Sequence, residues 1–378
     1  MNYKIKDLCE VTSSRRIFAR EYKSLGVPFF RSQEVIECSL KGKTSPEIFI
    51  SEERYNELIA NGASAPKKGD ILMSAIGANR GYPWCVDIDK FYFKDGNVVW
   101  LRNFKNSCNS RYLTYYLSTP RCIDELQKSS EHSAQGAITM DLIRDMELNL
   151  PEVMMQQHIV NTIGSIDDLI ENYQSQIYNI CALLERALDV YKNKCFISEY
   201  NPIIIKSGII KFDKEKNYLD TSCIEGINNI SSGELITVEK RPSRANMQPK
   251  SNSVWFAKMK DSNKIIVITE YDDDLLNNHI LSTGFLGIKS SDSLPLSLLT
   301  AIIISSDFKI QRDLNSIGTT MAGVNNETFL KIQVPQLDKN EVIVFDKKYH
   351  SLVIQLSYLR RKINFLKKAK EKLLNKYF

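Results

Sequence analysis

The residues of this chain best suited to chemistry are arginines, lysines, amides and small hydroxyls in turn-like stretches. On loops, such side chains can hydrogen-bond base edges in a DNA groove or hold phosphates. In the first half the candidate DNA contacts are Arg15, Arg16, Arg31, Asn79, Arg80, Tyr82, Lys94, Asn97 and Gln135. In the second half they are Lys240, Arg241, Ser243, Arg244, Asn246, Gln248, Lys258, Thr319 and Thr320. The alternative for each is a solvated loop residue, or for Tyr82 a core position.

The sequence contains little that indicates catalysis. It has no GxGxxG or GKS/GKT loop, and Asn201-Pro202 is followed by Ile203 rather than by the Pro-aromatic pair of a DNA amino-methyltransferase. The eight cysteines never stand at CxxC spacing, unlike a zinc site or a disulfide framework. Asp272-Asp-Asp274 is interpreted as an acidic turn rather than a metal site. We expect no catalytic residue, metal or cofactor.

Composition limits the class of protein. The 378 residues allow two or three domains, and the net charge of +5 is too small for a strongly basic nucleic-acid footprint over the whole chain. No run of about 18 apolar residues exists, so no membrane span is predicted. The first residues lack an apolar signal segment. We expect a cytoplasmic protein whose nucleic-acid contacts, if any, come from local clusters.

Two long amphipathic stretches must position these loops. The first, Pro151–Phe196, has apolar residues at alternating steps of four and three, a period of 3.5 typical of one helix packing along another. Its length predicts a rod of roughly 65 Å. The predicted seam of this helix is Ile159, Ile163, Ile166, Ile170, Tyr173, Ile177, Ile180, Leu184 and Tyr191.

The second stretch, Pro335–Phe378, supplies a partner for the first. Its predicted seam includes Tyr349, Leu352, Leu356, Leu359, Ile363, Leu366 and Leu373, with Lys370 as a polar exception. Six acids against three bases give Glu152–Phe196 a net charge of −3, and four acids against eleven bases give Gln336–Phe378 a net of +7. Opposite charges favour pairing of the two helices. The alternatives are a solvated basic face or a surface for DNA phosphate.

The chain reads as an internal duplication, because the prolines that open the two stretches are 184 residues apart, about half its length. The predicted fold class is α+β, with two mixed, β-rich heads joined by an antiparallel coiled coil of two long helices. The predicted boundaries are 1–150 for the first head, 151–198 for the central helix, 199–334 for the second head and 335–378 for the C-terminal helix.

The chain resembles the specificity subunits of type I restriction–modification systems over nearly its whole length. The resemblance rests on the order of several short motifs, at Gly26–Arg31, Ile50–Glu53, Lys68–Gly77, Leu150–Ile159, Arg241–Gln248, Ser253–Lys258, Leu281–Phe285 and Gly318–Thr320. Leu150–Ile159 resembles the family's "LPPLEEQ" approach to its long helix, from which Glu152, Met154 and Met155 depart. In the second half, Asn340 stands where the glutamine would be.

The resemblance implies a non-catalytic, DNA-reading subunit with two target recognition domains. Each would read one half of a split, asymmetric site in double-stranded DNA, and the helices would act as a spacer. It also implies methyltransferase partners, two in number, and restriction–motor subunits. The other hypothesis from the residues is a coiled-coil adaptor whose heads bind protein or RNA. DNA reading predicts binding that weakens steeply with salt, whereas an apolar adaptor interface does not.

Overall fold

The computed structural model describes residues 2–42, 44–131, 136–318 and 322–378, and it has the mixed helix-and-sheet architecture that was predicted. The chain forms two compact units. One comprises residues 1–167 with 368–378, and the other comprises residues 168–367. Each unit thus holds one globular head and a part of each long helix.

The elements of the first half, in chain order, are β1 (Asn2–Lys4), β2 (Glu10–Thr12), β3 (Val27–Phe30), α1 (Ser32–Lys41), β4 (Phe49–Ile50), α2 (Glu52–Ala60), β5 (Ile71–Ser74), β6 (Pro83–Cys85), β7 (Tyr92–Phe93), β8 (Val98–Arg102), α3 (Ser110–Leu117), α4 (Pro120–Ser130), α5 (Met140–Asp145), β9 (Glu147–Asn149) and the long helix α6 (Val153–Arg186). Local signals explain several boundaries. Ser51 caps α2 by accepting a hydrogen bond from the Arg54 amide. Pro120 opens α4 behind the capping residue Thr119.

The elements of the second half are β10 (Lys194–Phe196), β11 (Ile203–Ile204), β12 (Lys216–Leu219), β13 (Ile224–Glu225), β14 (Asn229–Ile230), β15 (Glu234–Ile236), β16 (Ala245–Met247), β17 (Ser253–Ala257), β18 (Ile265–Ile268), α7 (Asp273–Asn278), β19 (His279–Ser282), β20 (Phe285–Lys289), α8 (Leu296–Ile304), α9 (Ser306–Leu314), α10 (Asn326–Leu330), β21 (Gln333–Pro335) and the long helix α11 (Lys339–Tyr377).

Each head is built on two small sheets of matching topology. The first head has an antiparallel sheet in the order β2-β8-β5-β6 and a second sheet in the order β4-β3-β7, in which β3 and β7 are parallel. The second head has β11-β20-β17-β18 and β15-β12-β19-β16, in which β12 and β19 are parallel. Strand β16 therefore has no counterpart among the described residues of the first head.

The central strand of each head is buried on both faces. In β5, Ile71 and Met73 face one apolar cluster while Leu72 faces another. In β17, Val254 and Phe256 lie in one cluster and Trp255 in a second. Successive side chains of a strand point to opposite faces, so a continuous apolar run fits a sheet covered on both sides. This explains why these strands show no polar alternation in sequence.

The duplication extends to strand pairs that close each repeat. Strand β1 pairs antiparallel with β9, and β10 pairs in the same way with β21. Helices α3 and α8 start at residues 110 and 296, and α6 and α11 start at 153 and 339, so both pairs are 186 residues apart. The prediction that Pro335 corresponds to Pro151 is wrong by two residues, because β21 includes Pro335 whereas β9 ends at Asn149. The counterpart of Gln156 is therefore Val342 rather than Asn340.

The central helix is shorter than its apolar pattern suggested. It ends at Arg186, which gives 34 residues and a length of about 51 Å. The pattern continues because Leu188 and Tyr191 still pack inward from turns that follow the helix. Beyond them, Cys195 lies in β10 and pairs with Val334, so this segment belongs to the second repeat.

The long helices pair in antiparallel fashion, as predicted. In the second unit, the ring of Tyr191, five residues after α6 ends, lies 6.4 Å from the ring of Phe345, near the start of α11. In the first unit, Asp167 pairs with Lys370, near the end of α11. Residue numbers therefore increase along α6 in the direction in which they decrease along α11. Every residue of the two predicted seams is buried or half-buried.

Within the described residues, no helix is both long enough and apolar enough to cross a membrane.

Candidate nucleic-acid interface

Three loops of the first head meet at the carboxyl end of β5. The Ala75 amide donates to the Asn97 carbonyl at 2.8 Å, and the Ala75 carbonyl accepts from the Ile138 amide at 2.8 Å. The hydroxyl of Ser74 accepts from the Tyr82 amide at 3.1 Å. Backbone hydrogen bonds thus hold three separate loops side by side at one end of the sheet.

The second head repeats this arrangement at the end of β17. The Lys258 amide donates to the Gly284 carbonyl at 2.9 Å, and the Lys258 carbonyl accepts from the Val324 amide at 3.0 Å. The same two bonds on both sides of the duplication define equivalent loop surfaces. We call the loop surface around Ala75, Asn97 and Ile138 the first reading end, and the loop surface around Lys258, Gly284 and Val324 the second reading end.

Arg15 and Arg16 lie on the loop before β3, beside the β7–β8 turn. The Ser14 hydroxyl fastens this loop by donating to the Phe93 carbonyl at 2.8 Å. Arg15 Nη1 donates to the Asn61 carbonyl at 2.7 Å, and Arg16 Nε pairs with Asp95 Oδ2 at 2.9 Å. The Arg16 side chain remains 68% exposed. Both guanidinium groups are therefore held at the surface with donors to spare.

Arg31 is differently placed. It precedes α1, where its guanidinium pairs with the buried carboxylate of Glu34, and the hydrogen bond to Glu34 raises the pKa of Arg31. The Arg31 amide donates to the same carboxylate. Most of its donor capacity thus serves the start of the helix. The i,i+3 spacing of Arg31 and Glu34 is the feature of the sequence that indicates this ion pair.

Arg80 is tied into its own head. Nε donates to Ser130 Oγ at 2.6 Å, Nη2 to the Gln127 carbonyl at 3.0 Å and Nη1 to the Gly77 carbonyl at 3.3 Å. These contacts fix the loop to the end of α4. Asn79 beside it is exposed and Tyr82 is half-buried. The glycine-flanked loop thus presents Asn79 rather than Arg80.

Lys94 and Asn97 flank the turn between β7 and β8, at the first reading end. The Lys94 amide donates to the Phe30 carbonyl at 2.8 Å, and the Asn97 carbonyl also accepts from Ser32 Oγ at 2.7 Å. Their side chains are half-buried and have no hydrogen-bond partner within the described residues. A rigid backbone therefore carries two polar side chains that are free to contact a ligand.

The loop before β16 supplies the most available arginine of the second head. Arg241 is engaged, since its Nη1 donates to the Ala245 carbonyl at 2.7 Å and contacts Asn246 Oδ1 at 3.3 Å. Ser243 and Arg244 are exposed. The Arg244 carbonyl accepts from the Thr283 amide at 2.8 Å. Its guanidinium has no partner in the described part of the chain, so a fixed backbone presents a free cation.

Lys258 lies at the centre of the second reading end. Its Nζ donates to the Thr283 carbonyl at 3.0 Å, and burial lowers the pKa of this amine. Lys240 is exposed. Gln248, in contrast, is only 7% exposed, and its amide joins the Ile210 amide to the Leu276 carbonyl. Gln248 was expected to contact DNA, but its burial makes it a structural residue.

Three predicted contacts, Gln135, Thr319 and Thr320, lie outside the described residues. Within the described ranges, no group of three or more His, Cys, Asp or Glu residues could hold a metal ion. The predicted acidic turn Asp272–Asp274 is instead the start of α7, whose first two residues are Asp273 and Asp274. Asp272 directly precedes it, is buried, and pairs with Arg360 of α11, a partner 88 positions away that no sequence pattern indicated.

Comparisons with known proteins agree with this architecture. Residues 1–180 match the family model for the type I restriction modification DNA specificity domain. A putative type I restriction enzyme specificity subunit from Haemophilus influenzae is 27% identical over 164 residues, which is 43% of this chain and 39% of that protein. The type I restriction enzyme HindI specificity subunit from the same organism is 21% identical over 385 residues, covering 78% of this chain and 83% of that protein.

A solved structure shows the same fold. The crystal structure of a type I restriction–modification S subunit from M. genitalium aligns with a TM-score of 0.53 and 13% identity, covering 100% of this chain and 96% of that one. The matched domain, the similar subunits and the shared fold agree with each other. Residues 1–180 thus match the type I restriction modification DNA specificity domain, and the chain as a whole is similar in sequence and in fold to type I restriction–modification specificity subunits.

Proposed function

We propose that this chain reads a split sequence in double-stranded DNA, with one half-site for each head. The observation that carries the proposal is the repeated convergence of three loops at the ends of β5 and β17, held by the same pair of backbone hydrogen bonds. Unlike side chains on like scaffolds suit two different half-sites, because loops supply recognition while the scaffold positions it. The adaptor hypothesis finds no support in the comparisons.

The proposed contacts are the cations, the amides and one serine hydroxyl whose donors are not used up inside the heads. They are Arg15, Arg16, Asn79, Lys94 and Asn97 in the first head, and Lys240, Ser243, Arg244, Asn246 and Lys258 in the second. Arginine suits guanine because its planar fork can donate to both O6 and N7. Lysines and exposed serines suit phosphate, which positions the head without specifying sequence.

The helix pair is proposed as the spacer between half-sites. One turn of B-DNA rises about 34 Å, which is the scale on which two reading heads must be separated. Removing one heptad from each of α6 and α11 should therefore change the number of unread base pairs between half-sites. An unchanged spacer would contradict this role.

The chain is further proposed to assemble with two methyltransferase subunits and with restriction–motor subunits. It would supply target recognition, and those partners would supply adenine methylation and ATP-dependent cleavage. This division agrees with the family, and with a sequence that offers reading residues but few catalytic ones.

The first test is co-expression with a type I methyltransferase subunit encoded beside it, followed by genome-wide mapping of methylated adenines. We expect two short specified blocks around a fixed unspecified gap. Methylation at a single continuous motif would contradict the two half-sites. A stable complex that methylates nothing would contradict DNA reading, and failure to form a complex would contradict the proposed partner.

A residue-level test uses Arg244→Ala. Loss of a bidentate base contact costs about 1–3 kcal/mol of discrimination, so we expect relaxed preference at one position of one half-site. Lys289→Ala is the matched control, because Lys289 is exposed and pairs with Ser253, at the end of β17 that is remote from the second reading end. Equal losses at both half-sites, or equal effects of the two variants, would contradict the assignment of Arg244.

A further inference from the structure

A buried ion pair joins the second head to the long helix α11. Asp272, which directly follows the turn after β18, places Oδ1 2.6 Å from Nη2 of Arg360. Both residues are 2% exposed. Burying two charges is costly unless their remaining donors and acceptors are also satisfied.

The hydrogen bonds around the pair meet that requirement. On the helix side, Ser357 Oγ donates to Asp272 Oδ1 at 2.6 Å. On the head side, the Thr269 amide donates to Asp272 Oδ2 at 2.7 Å. Nη1 of Arg360 donates to the Val267 carbonyl at 2.6 Å and to Asn228 Oδ1 at 2.9 Å. One guanidinium thus contacts β18, the turn before β14 and the turn after β18.

The network keeps its charges. Burial alone would raise the pKa of Asp272, but the charge and hydrogen bonds of Arg360, together with Ser357 and Thr269, lower it below its ordinary value. Apolar contacts are non-directional and permit sliding, whereas hydrogen bonds require defined distances and angles. This network therefore allows one position of β18 against α11.

The Asp272–Arg360 pair, which we call the anchor, lies at the opposite end of the sheet from the second reading end. Thr269 follows β18, whose last residue Ile268 pairs with Ser253, the first residue of β17. The reading end begins at Lys258, beyond the other end of β17. A five-residue strand spans roughly 17 Å, so a small rotation at the anchor becomes a displacement of the loops.

We propose that Arg360 and Asp272 are positioning residues for DNA recognition: they fix the second head on α11 so that it engages its half-site at a set spacing. The inference rests on the proposed reading of a split site. The counterpart of Arg360 on α6 is Gln174, 186 residues earlier, and the strand pairing, which matches Cys85 to Val267, places the counterpart of Asp272 near Lys90; a glutamine and a lysine cannot form this ion pair. The device therefore belongs to the second head alone.

The test compares Arg360→Met with Arg361→Met in the full chain, complexed with methyltransferase subunits. Arg361 is on the same helix but is 46% exposed and lies 4.0 Å from Asp272, so its variant removes the same charge without opening the network. Binding is measured on DNA libraries that vary both half-sites and the spacer. For Arg360→Met we expect unchanged base preferences, and discrimination against spacers one base pair too long or short reduced about tenfold, or roughly 1.4 kcal/mol. Arg361→Met should match the wild type.

Unchanged spacer discrimination in Arg360→Met would overturn the proposal. Loss of base preference in the second half-site would also overturn it, since that result indicates a damaged head rather than a displaced one. If Arg360→Met does not fold, Ser357→Ala replaces it, because it removes one hydrogen bond to Asp272 and keeps the ion pair; the same two criteria apply.

Hydrogen exchange separates this inference from the proposed function. Amides of residues 226–231 and 265–272 should exchange faster in Arg360→Met than in Arg361→Met, whether or not DNA binds. A wild-type complex without a split motif would refute the proposed function. Equal exchange in the two variants would refute the anchor itself.

Discussion

The two units hold their helix pairs together with opposite chemistry at equivalent positions. In the first unit, Lys370 Nζ lies 2.6 Å from Asp167 Oδ1, with both side chains about 30% exposed. The Tyr115 hydroxyl donates to the other oxygen of Asp167 at 2.8 Å. This small polar network interrupts an otherwise apolar seam and explains why Lys370 breaks the heptad pattern.

The second unit has an apolar cluster at the corresponding place. Shifting Asp167, Lys370 and Tyr115 by the 186-residue repeat leads to Val353, Leu184 and Ala301, which are all 0% exposed and lie in one cluster. The two repeats share the backbone arrangement here, but one has polar side chains and the other has apolar side chains at these interior positions. A polar contact at one place in a seam specifies register, whereas apolar packing supplies more stability. We therefore expect the polar contact of the first unit to specify the register of the helix pair and the apolar cluster of the second unit to contribute more to its stability.

The starts of the two long helices differ in the same way. Gln156 is fully buried, with Oε1 accepting from the Asn109 amide and Nε2 donating to the carbonyls of Ser107 and Pro151. Its counterpart Val342 has no such groups. Tyr200 acts there instead, donating to the Pro335 carbonyl and accepting from the Leu337 amide, each at 2.8 Å.

The largest expected effect is at the apolar contact of the second unit. Leu184→Ala should lower the free energy of unfolding by about 2–5 kcal/mol, because it opens a cavity in a fully buried cluster. Leu183→Ala is the control, since Leu183 is the neighbouring residue and is 47% exposed. Thermal or urea unfolding measures both. Equal stability of the two variants would contradict the claim that the apolar cluster of the second unit stabilises the helix pair.

A smaller loss is expected at the start of α6. Gln156→Ala removes the three hydrogen bonds of a fully buried side chain, leaves the Asn109 amide and the Ser107 and Pro151 carbonyls without this partner, and should cost about 1–3 kcal/mol. Gln157→Ala serves as the control, because Gln157 is exposed and its hydrogen bonds, accepted from the Asn109 side chain and donated to Asn161 Oδ1, lie at the surface. Hydrogen exchange should show the change at residues 107–110 and 151–156. A change spread evenly over both units would count against this local role.

Acid should weaken the second unit through Asp272. Because the folded state holds the pKa of this carboxyl below its ordinary value, its contribution is complete above the ordinary pKa and is lost as pH falls through the folded-state value. Unfolding followed from about pH 5 to about pH 3 should therefore be less pH-dependent in the double variant Asp272→Asn, Arg360→Met. The exposed neighbour provides the control, Asp273→Asn, which should keep the wild-type slope.

The smallest effect is expected at the polar contact of the first unit. Lys370→Met should change the free energy of unfolding by less than about 1 kcal/mol, since solvent screens a pair of this exposure. Lys372→Met, at an exposed position two residues on, controls for the lost charge. Disulfide crosslinking between cysteines introduced at facing positions of α6 and α11 would report the register of the helix pair directly. A loss as large as that of Leu184→Ala would reverse our ranking of the two units.

The sequence predicted the scaffold well because repeated patterns carry it. The 3.5-residue seams predicted two paired helices, and every seam residue lies at least partly inside the protein. It predicted the end of α6 poorly, because Leu188 and Tyr191 keep the apolar period after the helix has ended. Periodicity reports which side chains face the core and not whether the backbone between them is helical.

Site residues were harder to judge, because availability depends on neighbours distant in the chain. Arg80 and Arg244 both stand in promising loops, yet the first donates to Ser130 and Gln127 whereas the second has no partner within the described residues. Gln248 was predicted to contact DNA, but its side-chain amide is buried and is hydrogen-bonded to the backbone of Ile210 and Leu276.

The sequence by itself thus determined the duplication, the two long helices and their pairing, since these follow from local periodicity and charge. Only the tertiary structure decided which cations remain free, where three loops meet at each reading end, and that Asp272 pairs with Arg360. The physical reason is that desolvation and hydrogen bonding depend on contacts between residues far apart in sequence, which no local pattern encodes.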